Sequence, residues 1–168
     1  TYNIDFSDTG TSLLSYCQYT IYSNTNQTGT QLKVWTNIAS GINANSYTTD
    51  WQLDFVSLQQ GTNYVSVRVY DNAGNTASLN DVFYVKKDTL APTITDNQSG
   101  DDTWRNATGI TYNVDFSTSG SSLLSYAQYT VWTATGQTGV QLKVWTNIAS
   151  SINSNSYTTD WSVDFASL

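Results

Sequence analysis

Any chemistry in this chain falls to aspartate, because the thirteen acidic residues are all Asp and neither glutamate nor histidine occurs. General acid or base work would need a carboxyl group whose proton affinity is raised by burial. No nucleophile elbow, phosphate-cradling glycine loop or zinc-ligand spacing accompanies the many serines and threonines, so catalysis is not expected. Oxygen donors suit a hard cation better, and calcium is the cofactor they would take. Asp5 and Asp54 recur at the same separation as Asp115 and Asp164, with Asn3 beside the first. A second group comprises Asp71, Asn75 and Asp88, followed by Asp96, Asp101 and Asp102. The alternative for both groups is solvated carboxylates that cap turns, as Asp and Asn commonly do. Asn26, Asn97 and Asn106 each precede a Ser or Thr by two residues and are acceptors for glycosylation in a source that makes N-glycans. The single Cys17 is replaced by Ala127 at the matching repeat position, which reads as a buried core thiol.

These residues are carried by an internal repeat. Thr1 to Leu58 recurs as Thr111 to Leu168 with about 40 of 58 positions identical, a period of 110 residues. Ile4 becomes Val114, Ile21 becomes Val131 and Leu53 becomes Val163, apolar for apolar, while Asn24-Thr25-Asn26 drifts to Ala134-Thr135-Gly136. Core positions are therefore held while loops vary. Aromatics make up 14% of the chain and charged residues only 11%, which favours strands and turns over helices. The net charge of -7 argues against nucleic acid and anionic membranes as partners. No apolar run is long enough to insert in a membrane. The chain opens at Thr1 without a signal sequence, which suggests a piece of a longer precursor.

Alternation and turn residues place seven strands within one period. They are Thr93 to Asp96; Thr111 to Phe116; Leu124 to Thr133 with Ala127, Tyr129 and Val131 inward; Gln141 to Ile148; and Asp160 to Phe165 with Trp161, Val163 and Phe165 inward. The first copy supplies the last two, Asn63 to Tyr70 with Val65, Val67 and Val69 on one face, and Asp81 to Lys87. Asp71-Asn72-Ala73-Gly74-Asn75 joins this last pair as a hairpin turn. Asp115 then points away from Val114 and Phe116, and Asp164 away from Val163 and Phe165.

The stretch Leu58-Gln59-Gln60-Gly61-Thr62-Asn63-Tyr64, followed by Val65 to Asp71, resembles the corner between strands E and F of fibronectin type III domains. The Asp71 to Asn75 turn and the exit Lys87-Asp88-Thr89-Leu90-Ala91-Pro92-Thr93 look like those of bacterial surface immunoglobulin-like repeats. The resemblance implies an all-β chain of tandem sandwiches: residues 1–88 carrying strands B to G without strand A, a linker at 89–92, and residues 93–168 carrying strands A to E without F and G. It implies that Tyr64 locks the corner formed with Leu58 and Gly61. It also makes strands B and E neighbours, which would set Asp5 near Asp54 and Asp115 near Asp164 on one outer face.

Tyr16, Tyr22 and Trp35, with their counterparts Tyr126, Trp132 and Trp145, fall on the outer face if Tyr19, Ile21 and Val34 point inward. Exposed, they would form a strip for stacking on sugars or on another chain; covered by loops, they would be a minor second core. The expected role is a structural or adhesive repeat of an extracellular or cell-surface stalk, fibre, surface layer or adhesin. Its partners would be neighbouring repeats, identical chains or cell-surface glycans. The alternatives are a carbohydrate-binding or spacer module of a secreted polysaccharide-degrading enzyme, and a subunit that polymerises by strand exchange.

Overall fold

A computed structural model describes residues Thr1–Leu168, with Ser167 described by its backbone only. The chain is all-β and divides into two compact units, Thr1–Asp88 and Thr89–Leu168. Unit 1 holds β1 (Phe6–Ser7), β2 (Leu14–Tyr22), β3 (Gln31–Ala44), β4 (Ser46–Tyr47), β5 (Gly61–Asp71) and β6 (Thr76–Lys87). Unit 2 holds β7 (Thr93–Asp96), β8 (Val114–Ser117), β9 (Leu124–Ala134), β10 (Thr138–Ser154) and β11 (Ser156–Tyr157).

In unit 1 a four-stranded antiparallel sheet runs in the order β3-β2-β5-β6, and β1 pairs with β4 in a short second ladder. An isolated bridge between Tyr2 and Trp51 extends that ladder. The two layers enclose one core because alternation aims Cys17, Tyr19 and Ile21 of β2, and Val65 and Val67 of β5, at the same side as Phe6 and Trp51. Cys17, Ile21 and Val65 are completely buried. Burial raises the Cys17 thiol pKa to about 11, which keeps it protonated and inert. The β5–β6 hairpin turns at Gly74, whose φ of 88° is the left-handed conformation that glycine tolerates best.

Unit 2 reproduces the geometry of the repeat. Tyr112 and Trp161 form the bridge that Tyr2 and Trp51 form in unit 1. The Thr20 hydroxyl donates to the Lys33 carbonyl at 2.6 Å, and the Thr130 hydroxyl to the Lys143 carbonyl at 2.7 Å. Its sheets are β11-β8-β7 and the pair β10-β9. Its buried apolar residues are Leu124, Ala127 and Tyr129, because the Val65, Val67 and Phe83 side of the core has no counterpart among its described residues.

Several expectations need correction: the strand expected at Thr111 to Phe116 runs Val114–Ser117, and the one expected at Gln141 to Ile148 runs Thr138–Ser154. The strand expected at Asp160 to Phe165, and its copy in unit 1, is reduced to the single bridge at Trp161 or Trp51 followed by a 3-10 turn, Phe165–Ser167 or Phe55–Ser57. Aspartate redirects the backbone here. The Asp54 carboxylate accepts from Val56 N at 3.1 Å, and its own N–H donates to the Tyr19 hydroxyl at 3.1 Å rather than to a ladder. Asp164 N likewise donates to the Tyr129 hydroxyl at 3.1 Å. Val34, expected inward, is 66% exposed because edge strand β3 runs past the short β1–β4 layer that covers the core.

Candidate binding surface

The outer face of the unit 1 sheet is organised around Arg68 on β5. Its Nε donates to Gln18 Oε1 at 2.8 Å, and its guanidinium lies 4.1 Å from the centroid of the Trp35 ring and 5.3 Å from that of Tyr70. Gln18 is held for this contact from the other end, since its Nε2 donates to Asn37 Oδ1 at 2.7 Å. Tyr70 stacks on Tyr16 at 4.5 Å. Strand pairing sets this order: Gln18 lies opposite Arg68 on one side and Asn37 on the other, and Tyr16 lies opposite Tyr70. Tyr16 and Trp35 do stand on the outer face, but as a half-buried layer beneath Arg68 and Tyr70. Tyr22 pairs across the sheet with Tyr64 and is also half-buried.

The same face in unit 2 is bare. Tyr126 is 60% exposed and Trp145 is 54% exposed, while Trp132 at the far end of β9 is half-buried. Gln128 Nε2 still donates to Asn147 Oδ1, at 3.0 Å. One framework is thus present twice, once with an arginine seated in it.

Arg68→Ala is expected to destabilise unit 1 by about 1 to 2 kcal/mol, combining a stacked cation and a hydrogen bond from a charged group. Arg68→Lys should recover only part of this, because an ammonium lacks the planar stacking surface. Urea unfolding measures both.

Most of these aspartates are engaged within their units. Asp54 pairs with Lys33 at 2.8 Å and Asp164 with Lys143 at 2.7 Å, so the cation facing each carboxylate is a lysine. Asp115 accepts from Asn97 Nδ2 at 2.9 Å, Asp96 from Gln98 N at 2.9 Å, and Asp5 is exposed. Asp71 accepts from the Ser12 hydroxyl at 2.7 Å and from the Asn75 backbone N–H and side-chain amide at 2.8 and 2.7 Å. Asp88 is half-buried at the end of unit 1. Asp101 faces Arg105 at 2.9 Å, and Asp102 is exposed. Among the described residues no three acidic or cysteine side chains gather where one metal ion could bind them.

The Lys33 ammonium holds the Asp54 carboxyl below its ordinary pKa, and the Asn75 amide and Ser12 hydroxyl do the same for Asp71. A carboxylate with a depressed folded pKa adds stability above the unfolded value of about 4, which is lost as acid drives the pH down through the folded value. The thermal midpoint should therefore fall below about pH 4, and Asp71→Asn should flatten that fall. An unchanged acid limb in the variant would assign the loss to other groups.

At the corner before β5 the ties run through Asn63 rather than Tyr64. Asn63 is completely buried, and its Oδ1 accepts from Gln59 N at 3.0 Å. Its Nδ2 donates to the carbonyls of Gln59 and Gly61, both at 3.0 Å, and of Val85 at 3.2 Å. Leu58 is buried below it, while Tyr64 points to the other face and meets Tyr84 with ring centroids 6.4 Å apart. Of the three sequons, Asn26 and Asn106 are exposed, and the Asn97 amide is held by Asn113 and Asp115. Sequence reasoning missed Arg68, Gln18 and Asn63. The available signal was that Gln18 and Asn37 recur unchanged as Gln128 and Asn147 at outward strand positions.

Comparison of this chain with protein-family models, with curated proteins and with solved structures finds no match.

Proposed function

We propose that this chain is a stretch of an extracellular, tandemly repeated β-sandwich array of the immunoglobulin or fibronectin type III kind, acting as a structural or adhesive rod. One observation supports the reading: several side-chain contacts recur from unit to unit, and they tie polar groups to the fold of their own unit. The Lys33–Asp54 and Lys143–Asp164 pairs and the Tyr19 and Tyr129 hydroxyl contacts serve the fold, and the same hold on polar side chains leaves little with which to work on a substrate. Strand order supports the same reading. Overlaying the units through their repeat gives one sheet ordered β7-β8-β11 and another ordered β10-β9 continued by the equivalents of β5 and β6, a two-sheet sandwich of seven strands. Beads of one design, repeated, make length and stiffness the product.

A carbohydrate-binding module is the weaker reading. It would leave equivalent rings bare in both units, whereas Trp35 is covered by Arg68 and only Trp145 is open. The neighbouring-repeat partner therefore ranks above a glycan.

Intact mass and electron microscopy of material from the native source test the proposal. Beaded or fibrous particles with a mass far above 18.5 kDa are expected. A discrete 18.5 kDa monomer with no assembly would refute the array.

A further inference from the structure

The chain carries six cationic side chains against thirteen aspartates, and the partners of those cations differ in kind. Lys33, Arg105 and Lys143 each face a carboxylate at 2.7 to 2.9 Å, and the Lys87 ammonium donates to the carbonyls of Phe55, Val56 and Leu58. Lys86 is exposed. Arg68 alone is half-buried with neither a carboxylate nor a set of carbonyls around it among the described residues. Its strand β5 is paired on both sides, with β2 and with β6, and its surroundings fix the side chain while leaving one edge of it unused. Nε is committed to Gln18 Oε1, Gln18 is held in turn by Asn37, and the guanidinium lies against the Trp35 ring. The two terminal nitrogens have no hydrogen-bond partner among the described residues, and neither is sealed from water.

We infer that the Arg68 guanidinium is a binding site for a carboxylate, carried by a free organic acid or by an acidic sugar. With Nε occupied, what remains is the end-on pair of terminal nitrogens, whose parallel N–H bonds match the two oxygens of one carboxylate. The bound group lies in the guanidinium plane beside the rings of Trp35 and Tyr70, which favours a flat anion over a tetrahedral one. It supplies the counter-charge that Asp54 supplies to Lys33. Partial burial strengthens the attraction over its value in water, and a side chain already held by Gln18 and Trp35 loses little freedom on binding. The net charge of -7 repels anions at long range, but salt at about 0.1 M screens that repulsion beyond about 10 Å.

The inference stands apart from the array role, since the absence of an assembly in native material would leave this site unchanged. The full chain is titrated near neutral pH and at constant ionic strength with acetate, glucuronate and sulfate, followed by residue-resolved magnetic resonance. Acetate should move the Arg68, Gln18 and Trp35 side-chain signals saturably, with a dissociation constant of about 1 to 10 mM, and sulfate should bind about tenfold more weakly. Glucuronate tighter than acetate assigns the carboxylate to an acidic sugar whose body meets the Tyr70 and Trp35 rim; glucuronate no tighter assigns it to a free acid. Arg68→Lys, which keeps the charge and loses the fork, should weaken acetate about tenfold. Gln18→Glu places a carboxylate beside Arg68 from within, so the variant should gain in thermal midpoint while losing the acetate response, which separates loss of the site from loss of the fold. Four results would overturn the inference: no saturable shift at Arg68 with either acid, sulfate binding as tightly as acetate, a Gln18→Glu variant that responds to acetate as the parent chain does, or shifts of the same signals with protein concentration alone that acetate does not reverse.

Discussion

Trp51→Ala is expected to destabilise unit 1 by about 4 kcal/mol, the usual cost of emptying a large aromatic site in a core. Trp51 is buried at the meeting point of both layers. Its ring centroid lies 5.1 Å from that of Tyr19, 5.9 Å from Tyr2 and 6.1 Å from Phe83. Tyr2 in turn stacks on Phe83 at 4.2 Å, so one deletion loosens an aromatic cluster fed by the N-terminal segment, β2 and β6. Unit 2 provides the internal control. Trp161 keeps the contacts to Tyr129 at 5.2 Å and Tyr112 at 6.1 Å but is only half-buried, and among the described residues of unit 2 none makes the contact that Phe83 makes in unit 1. Trp161→Ala should therefore cost roughly half as much, since the ring still touches water. Urea unfolding followed by residue-resolved exchange separates the two units, and equal costs would contradict the packing described.

Asn63→Ala is the second large effect, with an expected loss of about 3 kcal/mol. The side chain makes four hydrogen bonds to backbone at 3.0 to 3.2 Å, joining the turn before β5 to Val85 on β6. Alanine would remove the partner of one N–H and three carbonyls at once and leave the space of a completely buried side chain unfilled. Tyr64→Phe should change stability by less than about 0.5 kcal/mol, because the ring packs on Tyr84 whether or not the hydroxyl is present. The reverse ranking in a urea titration would restore the tyrosine-lock reading of this corner.

The fold was legible in the sequence wherever side-chain alternation controls burial. Thr93–Asp96 forms as expected, β9 differs from its expected span by one residue, and Val65 and Val67 point inward with Cys17, Tyr19 and Ile21. Legibility ended where polar side chains compete with the backbone. Trp51, Leu53 and Phe55 alternate like a strand, yet Asp54 caps a 3-10 turn and gives its N–H to Tyr19, a long-range partner that no local pattern reveals. Val34 alternates correctly but sits on an edge strand beyond the cover of the short layer. The coupling of Trp35 to Arg68 went unread because a lone arginine on β5 meets Trp35 only through two strand registers.

The most direct test of the account is residue-resolved amide exchange on the full chain with nothing added. The described pairing predicts that Leu14–Tyr22 is protected along both edges, and that in Leu124–Ala134 the amides matching those bonded to β5 exchange far faster than their neighbours bonded to β10. Equal protection of the two strands in this chain would contradict the described pairing, in which β2 is bonded to both β3 and β5 and β9 to β10.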